Sequence, residues 1–287
     1  MISINTNYGG IFAAKASSQA TLRVDQAMER LSTGKRINHA RDDSAGQAIA
    51  TRLAAEIEGL AMASRNVADG QSLVDTAESA LVETHALLLR MREISVQAAN
   101  GTLSDADNTA LDAEFQQLVA EIDRISDNTS WAGTKLLNGD STGNANTSAT
   151  FAFQAGVNNT TADTISVDIS NADAATLGVF VDNSGNNNIT LTDATNAGAA
   201  IVAVDAAIAA VSTERGKLGA VSNRMSSTMA NLDQITVNLT ASKGRIEDAD
   251  FAAETGNLAK GQILQQAATA MLAQANASKQ QVLTLIR

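Results

Sequence analysis

LAAEIEGLAMASRNVADGQSLVDTAESALVETHALL, residues 53–88, holds the pattern that decides the fold. Leu53, Leu60, Val67, Val74, Leu81 and Leu88 stand seven apart. Three residues after most of them comes a small or flexible side chain: Ala63, Gly70, Ala77, Thr84 and Met91. A sustained seven-residue repeat keeps an apolar seam on one side of an α-helix, and small residues within it let a second helix approach closely. The spacing predicts one helix over 44–100, started by Asp42, Asp43 or Ser44 and closed at Asn100-Gly101. At 1.5 Å per residue such a helix runs about 85 Å, far longer than the radius of gyration of about 19 Å expected for a compact chain of this size. The expectation is a rod.

Working outward, the same signature recurs. Leu111, Phe115, Leu118, Ile122 and Ile125 alternate steps of four and three, with Ser104 or Asp105 at the cap. A third set comprises Val204, Ile208, Val211, Leu218, Met225, Leu232, Leu239 and Ile246. A fourth runs through Leu264, Ala268, Met271, Ala275, Ser278, Val282 and Leu285, carrying apolar residues up to Ile286. The 11–33 region is weaker, with Ile11, Ala14, Ser18, Leu22, Ala27 and Leu31 roughly on one side. Proline is absent, so nothing interrupts these helices.

Residues 138–200 differ in character. Lys135 is the last basic residue before Arg215, and Asn, Thr, Gly and Asp dominate. Alternating runs at 150–157 (TFAFQAGV), 163–170 (DTISVDIS), 177–182 (LGVFVD) and 188–193 (NITLTD) read as hairpin strands. The fold class is mainly α: a long coiled-coil or helical-bundle rod built from both terminal arms, with a small β-hairpin-rich insert.

Composition narrows the function. Thirty-one acidic residues against 20 basic give a net charge of −11, which disfavours nucleic acid and anionic membranes. Without cysteine there are no disulfides, thiolate metal sites or thiol nucleophiles. The first residues lack a basic n-region followed by an apolar h-region, and no uninterrupted apolar run reaches membrane-spanning length. His39 and His85 have no ligand partners at metal spacing and read as structural or solvated. Gly34-Lys35 lacks the rest of a phosphate loop, and the HExxH and GxSxG signatures are missing. Asp140, Asp163, Asp168, Asp173, Asp182 and Asp193 in the insert have no calcium-loop spacing and read as polar surface. No catalytic, metal or cofactor site is expected. RLSTGKRINHARDDSAGQAIA, 30–50, reads as a charged loop joining two helical segments.

Several long segments together resemble bacterial flagellin. They are LSTGKRINHARDDSAGQAIATR (31–52), ASRNVADGQSLVDTAESAL (63–81) and REISVQAANGT (92–102) in the first half. In the second half they are LGAVSNRMSSTMANL (218–232), RIEDADFAAE (245–254) and QILQQAATAMLAQANASKQQVLTLIR (262–287). The resemblance implies a short, two-layer subunit without large outer domains. Residues 1–40 and 245–287 would form an inner coiled-coil layer lining a filament channel. Residues 41–137 and 201–244 would form a second helical layer, with 138–200 as a β-hairpin insert. Leu22, Leu31, Leu264, Ala268, Met271, Ala275, Val282, Leu285 and Ile286 would make inner-layer subunit contacts. Leu53, Leu60, Val67, Val74, Leu81, Leu88, Leu218, Met225, Leu232 and Leu239 would build the second layer.

The implied function is an extracellular filament subunit for swimming, exported without a cleaved signal peptide. The implied partners are further copies in a helical homo-oligomer, the flagellar export apparatus and its chaperone, and the hook-associated junction and cap proteins. The resemblance also implies contact with an animal Toll-like receptor through Arg90, Ile94 and Glu114. The bland reading of those three is subunit packing. Two rival functions stand beside the filament subunit: a hook–filament junction protein, and a surface adhesin binding glycans through the insert.

Overall fold

The computed structural model describes residues 6–139, 148–179 and 189–285, with side chains described as far as Ser278 in the last helix. Five α-helices occur among the described residues: α1 (Tyr8–Thr33), α2 (Ser44–Ala98), α3 (Asp105–Asn128), α4 (Ala194–Glu247) and α5 (Phe251–Leu285). Four strands form two hairpins, β1 (Ser130–Trp131) with β2 (Thr134–Lys135) and β3 (Ala149–Gln154) with β4 (Thr164–Ile169). The chain divides into two compact units, Met1–Ile57 with Val237–Arg287 and Glu58–Thr236. This grouping differs from the three parts expected. Residues 41–57 and 237–244 go with the termini, and the insert belongs to the central helical unit. Leu53 and Leu239 are therefore half-buried members of the terminal unit.

Local chemistry sets the helix starts. Ser104 Oγ accepts from the Asp107 N–H at 3.3 Å while the Asp107 carboxylate accepts from the Ser104 N–H at 3.1 Å, a reciprocal cap. The Ser104 hydroxyl, followed by its backbone N–H, holds the Asp107 carboxyl below its ordinary value. Of the three candidates for starting α2, Asp43 does it, accepting from Gly46 N–H at 2.8 Å. α4 begins at Ala194, earlier than the apolar spacing indicated, where Asp193 accepts from Asn196 N–H at 2.8 Å.

In the central unit, α2 and α4 run antiparallel. Arg92 meets Asp205 at 2.6 Å, Glu78 meets Arg215 at 2.8 Å and Gln71 meets Ser226 at 3.5 Å, so one number rises as the other falls. Leu60, Val67, Val74, Leu81 and Leu88 are all buried, as are Val204, Val211, Leu218, Met225 and Leu232. The residues three further along α2, Ala63, Gly70, Ala77, Thr84 and Met91, are buried too. Phe115, Val119 and Ile122 of α3 complete this core. By length and composition α4 is apolar enough to cross a membrane, but its large seven-spaced side chains are committed to the bundle.

The β3–β4 hairpin lies against α2. A Cβ on Gly70 would sit 3.0 Å from both Phe153 Cγ and Met225 Cε, so a larger residue there would require these side chains to shift. The strands expected at 177–182 and 188–193 do not form within the described residues: 177–179 lie in a turn and its exit, and 189–193 form no ladder. Residues 180–182 and 188 lie outside the described residues. Helix carboxylates take the backbone groups a ladder would otherwise satisfy. Asp123 accepts from Ala174 N–H and Asp112 from Leu191 N–H, both at 2.9 Å, and Glu214 accepts from Ser170 N–H at 3.0 Å. The small β1–β2 hairpin has no counterpart in the sequence expectations. Ala132 and Gly133 both take positive φ at its turn, without the Asn-Gly or Asp-Gly pair that usually marks one.

Candidate assembly surface

The terminal unit is built on α1 packed antiparallel along α5. Arg30 pairs with Glu254 at 2.9 Å, Gln265 donates to Thr21 at 3.1 Å and Asn7 donates to Asn276 at 3.2 Å, which fixes the register. The seam consists of small residues: Gly10, Ala13, Ala20, Val24 and Ala27 face Gly261 and Ala268. A Cβ on Gly261 would lie 2.8 Å from Val24 Cγ2, so the helices pack at a separation that larger side chains would prevent.

The large apolar side chains point the other way. Tyr8, Ile11, Phe12 and Leu22 follow helical spacing on α1 and are exposed, as are Phe251, Ile263 and Met271 on α5. At about 100° per residue, the exposed stripe of α1 is roughly opposite its buried stripe. The residues expected to make inner-layer subunit contacts divide between this outer face and the seam. Leu22, Leu264 and Met271 are surface residues, Leu31 and Ala275 are half-buried, and Ala268 lies in the seam. Val282 and Leu285 fall in the last turns of α5, beyond the described side chains, and Ile286 lies outside the described residues. Within the chain, close helix approach places the smallest residues in the seam.

The charged stretch at 34–43 is ordered against 246–249. The backbones of Lys35 and Asp248 face each other in a single antiparallel bridge, Arg36 N–H donates to Glu247 O at 2.6 Å and Ala249 N–H donates to Gly34 O at 2.9 Å. Lys35 also pairs with Glu247. Asp42 accepts from the N–H groups of His39 and Asn38 at 3.0 and 3.2 Å, and those bonds, the His39 one foremost, lower its carboxyl below the usual value. His39 Nε2 lies 2.9 Å from Glu29, a surface pairing. Among the described residues no cluster of three His, Asp or Glu side chains is arranged to hold a metal ion.

Arg90, Ile94 and Glu114 separate on inspection. Arg90 pairs with Glu114 at 2.8 Å and Glu93 at 3.0 Å, all exposed, and the Glu114 hydrogen bonds foremost raise the guanidinium above its ordinary value. Ile94 is only 1% exposed, because it continues the buried α2 stripe three residues after Met91. An outside partner cannot touch it while α2 is packed.

Charge also divides between the units. The terminal unit holds 12 basic and 9 acidic residues, and the central unit 8 and 22, giving net charges of +3 and −14. The acidity of the chain thus resides in the central unit.

Residues 4–142 match the bacterial flagellin N-terminal helical region, and residues 201–286 match the bacterial flagellin C-terminal helical region. The chain belongs to the bacterial flagellin family. A flagellin of Halalkalibacterium halodurans is 45% identical over 262 residues, covering 91% of each chain. A flagellar filament 33 kDa core protein of Treponema phagedenis is 39% identical over 287 residues, covering 99% of each. A solved flagellar hook-associated protein from Vibrio parahaemolyticus aligns with a TM-score of 0.59 at 18% identity, over 72% of this chain and all of that one, and shares the fold alone. Flagellins are structural proteins of an extracellular filament rather than enzymes.

Proposed function

We propose that the chain polymerises into the flagellar filament through the outward apolar faces of α1 and α5. The observation that carries this reading is the stripe of Tyr8, Ile11, Phe12 and Leu22, exposed opposite a seam of small residues. Fully burying each such side chain is worth roughly 1.5–3 kcal/mol, an amount the isolated subunit forgoes and a neighbour recovers. The terminal helices form an inner layer lining a channel and the central unit a second layer. A contact between different patches on successive copies does not close on itself, and so propagates as a helix. Electron microscopy of the purified protein is the test: long filaments are expected, and persistent monomers at high concentration would remove the reading.

The wider set of partners belongs to the same proposal. Export without a cleaved signal, an export chaperone, and the cap and junction proteins at the filament ends are proposed with it, a reading that family membership supports. Arg90 and Glu114, exposed and paired, are the proposed contact for a host Toll-like receptor, with Ile94 acting only by seating α2. A reporter-cell assay with purified monomer should respond, and Arg90→Ala together with Glu114→Ala should abolish the response without changing the fold.

A further inference from the structure

The groove between α1 and α5 has two halves. One hollow of about 190 Å³ is lined by Ala20, Leu264, Ala268 and Met271 among others, and a second of about 250 Å³ by Arg23, Arg30 and Lys260 with Glu254. The hollows share Arg23 and Leu264, so they form one groove, apolar toward the start of α1 and basic toward its end. The Val24–Gly261 approach sets Lys260 nearly level with Arg23 across the groove. Glu254 is taken by Arg30, and among the described residues Arg23 and Lys260 make no ion pair.

The complementary feature lies on the same helix. Asp25 is exposed and, among the described residues, also makes no ion pair. Two residues from Arg23 in sequence, it points roughly 160° away from it around α1 and cannot reach it within one chain. Three residues before Asp25, on nearly the same outer line, is Leu22, 65% exposed. Read along the helix, the outer face goes from apolar to acidic in the direction in which the groove goes from apolar to basic.

Resting on the filament reading, we infer that the α1–α5 groove receives the outer face of α1 from a second copy. Leu22 enters the apolar half and Asp25 lies between Arg23 and Lys260. A cavity of about 150 Å³ already holds a benzene-sized group, so the apolar half is large enough for a leucine side chain. The two directions match only when the helices are parallel. Subunits related by a screw axis keep their helix direction, whereas a two-fold dimer would reverse it. Knob and groove are different patches, so the contact is head-to-tail and open-ended.

Charge exchange tests this. Asp25→Lys alone, and Arg23→Glu with Lys260→Glu alone, should each raise the critical concentration for polymerisation by about tenfold or more. An equimolar mixture of the two variants restores both junctions, and should polymerise within about threefold of the parent concentration. The near-isosteric Asp25→Asn should act in the same direction with a smaller effect. Circular dichroism of each monomer controls for folding. Asp25→Lys filaments at the parental critical concentration, or a folded mixture no better than its components, would overturn the groove contact alone. Failure of the unaltered protein to polymerise would overturn the filament reading and this contact with it.

Discussion

In α2, the residues from Leu60 to Leu88 at seven-residue spacing are at most 5% exposed, whereas in α1 Tyr8, Phe12 and Leu22 are 65–73% exposed. Both helices are long, proline-free and periodic in apolar residues. The difference lies in what the large residues face. In the central unit they interlock with α4 and α3, so the bundle closes its own core. In the terminal unit alanine and glycine take the inner face and the large residues are left outward. One unit closes its apolar core within the chain, and the other leaves exposed apolar surface that the proposed filament contacts would cover.

The comparison breaks most severely at the end of the chain. Deleting 273–287 should abolish polymerisation while the cooperative unfolding of the central unit, followed by circular dichroism, stays at its parental midpoint. Filaments from that truncation at normal yield would contradict the division of labour. Paired phenylalanines sharpen it next. Phe115→Ala opens a cavity in a closed core and should cost about 3–5 kcal/mol in denaturant unfolding. Phe12→Ala should stay within about 0.5 kcal/mol of the parent as a monomer, yet raise the critical concentration for assembly.

Gly261→Val probes the small-residue seam. Its side chain collides with Val24 Cγ2, and overpacking of this kind costs about 1–3 kcal/mol. The loss should appear as earlier melting of the terminal unit, with the central transition unmoved; an unchanged terminal transition would show that the seam is not tightly packed.

The smallest effect is expected at Asp123, which ties Ala174 to α3. Desolvation raises its carboxyl above 3.8, outweighing the Ala174 hydrogen bond. A folded-state value above the unfolded one means that protonation favours the fold. That contribution is fully present below the unfolded value and is lost as pH rises through the folded one. Asp123→Asn keeps an acceptor for Ala174 and removes the charge. Its stability relative to the parent should be greatest at pH 7 and fall as pH drops toward 3.8. A difference that grows on acidification would refute the desolvation account.

Much of the architecture was legible because long helices repeat their message. The series through Val67, Val74 and Leu81 names one face many times over, and no local exception shifts its phase. The hairpin at 149–169 was legible for the same reason, since TFAF and TISV alternate cleanly between turn residues. The stretches 177–179 and 189–193 have similar composition but find no partner strand. Carboxylates on α3 and α4 hold the neighbouring backbone instead, and those anchors are remote in sequence. Ile94 shows the same limit at a proposed contact, since a family match carries a position over without its burial.

What the sequence determined by itself is the helical class, the extent of α2 and the apolar stripes that α2 and α4 bury. Seven-residue periodicity sustained over dozens of residues admits few other readings. What only the tertiary structure decided is which face of α1 and α5 turns inward. Small residues bury little area and so leave a faint hydrophobic signal, yet they allow the closest backbone approach. That steric fact becomes visible only when Gly261 is seen against Val24, and it leaves Phe12 and Leu22 on the exposed face.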